Sequence, residues 1–174
     1  MTRPESLAAL LIELIGARVD ATAHTRPTGE RLLDGLDGVF ILDTGLSVDL
    51  ASEVSSATLR NALLKGLESA GVSVLAPQEG LVLGAVRLSL AGVRAPGGNW
   101  AVCAVLDVRQ RARLLREPGP SFDAVTWSSE ATCISTADAL ERDCCSLVQR
   151  VATDLGNAFR SRTVSEPRGR TTRA

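Results

Sequence analysis

The stretch WAVCAVLDVRQRARLLR, Trp100 to Arg116, decides how this chain folds. Its even positions are apolar almost throughout (Trp100, Val102, Ala104, Leu106, Val108, Ala112, Leu114), while Asp107, Arg109, Arg111 and Arg113 fall on odd ones. Successive side chains of a β-strand point to opposite faces, so a period of two over this length reads as one long strand with a buried face and a wet face. Antiparallel sheets tolerate such an arrangement, with one face packed and the other solvated.

Reading upstream, Leu81 to Arg94 alternates in the same way, with Val82, Val86, Leu88 and Leu90 on one face and Arg87 and Ser89 on the other. Ala95-Pro96-Gly97-Gly98-Asn99 between the two runs is a turn, so together they predict a long hairpin. Downstream, Pro118-Gly119-Pro120 breaks the chain, and a third long strand is expected from Phe122 to about Ser135 with Val125, Trp127, Ala131 and Cys133 sharing a face. Leu140, Cys144, Leu147, Val148, Val151, Leu155 and Phe159 then recur at helical spacing, with Ser135 or Thr136 as the candidate cap. This closing helix is expected to cover the apolar face of the three-stranded meander.

The part before the hairpin reads differently. Val39 to Leu42 is a short strand ended by Asp43-Thr44-Gly45, Glu53 to Ala70 is a helix stopped at Gly71, and Val72 to Leu75 is a second short strand closed by Pro77. A strand, helix and strand of these lengths make a right-handed crossover between parallel strands. The expected fold class is therefore α+β: a mixed sheet in which a short strand-helix-strand unit precedes a long antiparallel meander of three strands, covered on one face by the C-terminal helix.

With 174 residues the chain fits a single domain. The 45% apolar and 22% charged residues are ordinary for a globular protein, and with three Phe, two Trp and no Tyr the core must be built of aliphatic side chains. A net charge of −1 argues against a general nucleic-acid binder. Residues 1–23 open with Arg3, run through the apolar block Leu7 to Ile15 and reach Ala21-Thr22-Ala23, the small-x-small form of a signal-peptidase site, although Glu13 interrupts the block. They read either as a signal peptide or as a retained N-terminal helix, and the block is far short of the roughly 20 apolar residues that span a membrane. Residues 24–37 read as a polar linker, 38–160 as the α+β domain, and 161–174 as a disordered basic tail.

Little in the residues points to catalysis. The single histidine, His24, falls in the linker, so no imidazole stands ready to activate a cysteine or serine. Cys103, Cys133, Cys144 and Cys145 lack the short paired spacing of a zinc site, and neither phosphate-loop consensus is present. Asp34, Asp37, Asp43 and Asp49 lack the calcium-loop pattern and suit turns and caps. No catalytic residue, metal ligand or cofactor is expected. Trp100 and Trp127 are expected in the core. Cys144 and Cys145 are neighbours on the closing helix and point about 100° apart, and a bridge from Cys133 to either one suits an exported protein.

Arg87, Arg109, Arg111 and Arg113 are the candidate contact residues, because they share the wet face of the sheet. Two readings stay open. Either the arginines form a solvated face whose charge is offset by Asp107, Asp123 and Glu130, or they receive an anionic partner.

Ala70-Gly71-Val72-Ser73-Val74, the run from Arg111 to Leu115-Arg116, Thr126-Trp127 and the amphipathic Leu140 to Phe159 together resemble a loose group of uncharacterised exported bacterial α+β proteins. At fold level the order of elements over about residues 38–160 is similar to small envelope assembly proteins such as the TolB N-terminal domain and lipopolysaccharide-assembly lipoproteins. The resemblance implies an accessory or assembly role in the bacterial envelope, with a periplasmic location and no catalytic residues. The functional expectation is a non-enzymatic protein that contacts a protein partner through the sheet face or a strand edge. The alternative is a domain that holds a lipid or other apolar ligand between the sheet and the closing helix, with the arginines near an anionic head group. Retention of the N-terminal helix would place the chain in the cytoplasm instead.

Overall fold

The computed structural model describes residues 33–78, 82–112 and 121–161. The proposed signal or N-terminal helix, His24, Arg113 and most of the basic tail lie outside the described residues. The elements in order are β1 (Gly38–Leu46), α1 (Val48–Ala51), α2 (Ser56–Ser69), β2 (Leu83–Arg94), β3 (Trp100–Ala112), β4 (Phe122–Ser135) and α3 (Leu140–Ser161). They form one four-stranded sheet of order β1-β2-β3-β4, in which β1 and β2 are parallel and the other two pairings antiparallel. The α+β class, the mixed sheet and the covering C-terminal helix are therefore as the alternation and helical spacing require.

Period-two patterning sets the faces. Val86, Leu88, Val102, Ala104, Leu106 and Val108 are all 0% exposed on the side that α2 and α3 cover. Removing each such aliphatic side chain from water contributes roughly 1.5–3 kcal/mol. From α3 the same core receives Cys144, Val148, Val151 and Leu155, also at 0% exposure, and Trp100 and Trp127 are buried with them. These side chains line the interval between sheet and closing helix.

Close helix contact comes from small residues. A Cβ built on Gly156 of α3 would meet the Ala70 Cβ at 2.4 Å and its carbonyl oxygen at 2.7 Å, and one on Gly66 of α2 would meet the Ala152 Cβ at 2.9 Å. Only hydrogen at these two points lets the helices approach this far. Arg160, in the last turn of α3, donates from Nη1 to the Ala70 carbonyl at 2.6 Å, satisfying an orphan acceptor at the end of α2.

Several local readings change. The first strand runs through Asp43-Thr44-Gly45, read as its stop, to Leu46, and the helix read from Glu53 begins at Ser56 after the short α1. Val72 to Leu75 does not form a full strand: a single bridge joins Val39 to Val74, with Val39 N–H donating to Ser73 O and Leu75 N–H to Val39 O, both at 2.9 Å. The long parallel partner of β1 is β2, because β2 has eight paired positions to offer where the short segment has one bridge. Leu33 and Leu36, in the stretch read as linker, are buried at 0% and 4% exposure. Ser135 closes β4 instead of capping the helix, and donates its hydroxyl to Asp143 Oδ2 in the first turn of α3 at 2.7 Å.

The last change concerns β4. Val108 pairs with Trp127 but Arg109 pairs with Val125, so Thr126 is an extra residue in a β-bulge. Its hydroxyl donates to Val108 O at 3.2 Å and accepts from Gln110 Nε2 at 2.9 Å. The bulge reverses the parity, so Trp127, Ala131 and Cys133 face the helices while Val125 turns to the open side, 49% exposed.

Candidate interaction surface

Both helices of any length lie on one side of the sheet, so the other side is bare among the described residues. Its centre is a cross-strand row running Asp43, Arg87, Asp107 and Ser128 from β1 to β4. Arg87 Nε lies 4.0 Å from Asp43 Oδ2. Asp107, directly opposite Arg87, takes a hydrogen bond from the Ser128 hydroxyl at 2.7 Å. The next rows hold Ala85, Arg109 and Val125, then Arg111 opposite Asp123.

The structure thus places Arg87, Arg109 and Arg111 on one face, with Arg113 outside the described residues. The expected acidic neighbours are present, with Asp107 opposite Arg87 and Asp123 opposite Arg111. Among the described residues Arg109 and Arg111 make no ion pair, and the Nε atoms of Arg87 and Arg109 are shielded from solvent without a hydrogen-bond partner. Arg87 is met within ion-pair distance by Asp43, which the alternation pattern did not single out because the bulge at Leu42 brings it into register with Arg87.

The two edges of the sheet differ. Beside β1 the segment from Ser73 to Leu75 takes part of the outer edge. Among the described residues β4 pairs only with β3, and its outer edge carries no strand along 14 residues. Phe122, Val125 and Ile134 of that strand are 46%, 49% and 74% exposed. Edge strands are normally blunted by lysine, proline, charge or a bulge; FDAVTWSSEATCIS holds no lysine, arginine or proline, and its protection is limited to Asp123, Glu130 and the bulge at Thr126. Sequence reasoning missed these apolar residues. Ile134 was visible as an apolar residue on the wet parity, opposite Ala101, whereas Val125 was hidden by the bulge.

The cysteines are four free thiols. Cys103 sits on the open face opposite Thr132, and Cys133 on the helix-facing side opposite Val102. Burial pushes the Cys133 thiol up, with the Asp143 charge adding to it, and burial pushes Cys144 up to about 12. Both stay protonated at neutral pH. Asp143 is held below the usual carboxylate range, chiefly by the Ser135 hydroxyl. Among the described residues no group of three His, Cys, Asp or Glu side chains is placed to hold a metal ion, and no helix is long and apolar enough to cross a membrane.

No known protein family and no curated protein matches the chain. Among solved structures, a PelC dodecamer from Paraburkholderia phytofirmans aligns with a TM-score of 0.45 and 16% identity, covering 70% of this chain and 90% of that one. A minor lipoprotein from Acinetobacter baumannii aligns with a TM-score of 0.25 and 15% identity, covering 71% and 91%. Likenesses this distant carry no argument about what the chain does.

Proposed function

We propose that this chain is a non-enzymatic binding or assembly protein of a bacterial envelope, and that it contacts a protein partner by taking an extended segment of that partner onto the free edge of β4. The observation that carries this reading is the edge itself: a long strand, unpaired on its outer side among the described residues, with exposed Phe122, Val125 and Ile134. Main-chain N–H and C=O groups along such an edge supply affinity, and the alternating side chains supply specificity. The envelope location is supported by Arg3, the apolar block Leu7 to Ile15 and Ala21-Thr22-Ala23, in the order of an export signal.

A second reading rests on a different observation. Arg109 and Arg111 lack ion pairs among the described residues, which favours an anionic ligand on the open face, such as a phosphate-bearing head group.

The test places a photo-crosslinking side chain at Val125, Ile134 or Arg60 in the full chain, expressed in its own host. Arg60 is exposed on α2, which packs on β1 and α3 and not on β4, and is the control. Protein adducts from positions 125 and 134, absent at 60, are the expected outcome, together with an intact mass that lacks residues 1–23. Adducts of equal yield at all three positions, or none, sink the edge reading, and a full-length mass sinks the export step.

A further inference from the structure

Cys133 lies on β4, and Cys144 and Cys145 lie in the first turns of α3, the helix that packs on that strand. Cys133 is on the helix-facing side of β4, opposite Val102. Two residues further along the same face, Ser135 donates to Asp143 at 2.7 Å, and towards the other end Ser129 donates to Asp154 at 2.8 Å. These two hydrogen bonds lay α3 antiparallel along β4 and hold the start of the helix above the end of the strand. Cys144 follows Asp143 directly and shares the sheet-facing side of α3 with Val148, Val151 and Leu155, all 0% exposed.

The adjacent Cys145 points elsewhere. A helix turns about 100° per residue, so Cys145 lines up with Ala152 and Gly156, seven and eleven positions on. That side meets Gly66 and Ala70 of α2. Of the two neighbours it is Cys144 that is turned towards the strand. The electrostatics agree: after burial, Cys133 is the leading influence on the Cys144 thiol, whereas on Cys145 burial is followed by Glu141.

We propose that Cys133 and Cys144 are a disulfide-forming pair that staples the edge strand β4 to α3 when the chain meets a disulfide oxidant. The structure shows the reduced state. Cys133 is the half-buried member and the one that solvent reaches. Its thiolate attacks one sulfur of the oxidant, releases one thiolate and leaves a mixed disulfide. The Cys144 thiolate then attacks the Cys133 sulfur, forms the protein disulfide and expels the second thiolate. Two electrons pass from the two protein thiols to the oxidant, and their two protons end on the two released thiols. Because burial keeps both groups protonated, closure is slow in the folded chain and faster while the chain is folding. The bond would enclose Ile134 to Asp143, tying down the end of the edge strand. The staple is independent of the edge-docking reading, since it closes whether or not any partner binds.

The test uses the full, reduced chain and oxidised glutathione as the oxidant, once with folded protein and once during refolding from urea, followed by non-reducing peptide mapping. The expected product is the Cys133–Cys144 link, with loss of two hydrogens from the intact mass and a higher urea midpoint that reverts on reduction. C145A and C103A keep the link, and C133A and C144A abolish it. Should C144A fail to fold, C145A still decides, because it must form the bond. Thiols left unlinked after refolding, a link from Cys133 to Cys145, or glutathione retained on Cys133 without resolution each overturn the proposal.

Discussion

The two faces of the sheet are made by the same strands and differ in what lies above them. On one side α2 and α3 close over Val86, Leu88, Val102, Leu106 and Val108, whose exposure is 0%. On the other, one residue away along each strand, Arg87, Ser89, Val105, Asp107 and Arg109 are partly exposed and bear charges that meet few partners. β2 and β3 therefore carry two separate messages in alternate positions: one set drives folding, and the other is free to serve contact. Burial is what makes a position intolerant of change, so substitutions one residue apart along a strand should differ sharply in their cost.

The largest effect is expected at Leu106. L106A should lose about 2–5 kcal/mol in urea unfolding, through transfer and cavity terms together. V105A, its neighbour on the open face, should lose no more than about 1 kcal/mol. Equal losses would mean that the open face is covered in solution by something beyond the described residues.

Next comes the closed side's own tightest point. G156V places branched carbon against Ala70, where even a Cβ is 2.4 Å from its neighbour. The helices must separate, at an expected cost of about 1–3 kcal/mol, and the same urea titration reads it. A substitution as mild as wild type would show that α2 and α3 are held less closely than their contact implies.

Acid titration separates the faces in another way. Asp143 and Asp138 are both held below the ordinary carboxylate value of 3.8, by the hydroxyls of Ser135 and Thr136 respectively. Their lowered folded-state values mean that each stabilises the fold fully above the unfolded carboxylate's value, and that this contribution fades as pH falls through the lowered one. S135A should therefore flatten the loss of stability below about pH 4, measured by thermal unfolding across that window. An unchanged acid slope would remove the Ser135–Asp143 clamp as its source.

The smallest effect belongs to the arginines. Replacing Arg109, Arg111 and Arg113 together by glutamine should change stability within about 0.5 kcal/mol, as for surface positions without buried partners. A phosphate-bearing ligand that binds wild type and not this variant would favour the anionic reading. A collapse of the fold would instead show that these side chains are structural.

Much of this architecture was legible because alternation and helical spacing are local. The runs Leu83–Arg94, Trp100–Ala112 and Phe122–Ser135 were each placed to within a few residues. Val125 was misplaced because a single extra residue at Thr126 reverses the parity, and a bulge leaves no mark in a binary pattern. Leu33 and Leu36 were missed because two apolar residues among Gly, Asp and Arg show no period, although they fill the core beside β1. The free edge of β4 was named as a class of surface, but which strand would be left at the edge could not be read from patterning.

Most strands and helices, and the apolar side of β2, β3 and α3, follow from residue order alone, because they depend on the residue-by-residue geometry of the backbone. That β1 lies along β2, that β4 is the edge strand among the described residues, that Asp43 is the acid at Arg87, and that Cys144 and not Cys145 is turned towards Cys133 follow from the packed fold. Each of these depends on how distant segments share one core, and a contact across tens of residues has no local period to announce it.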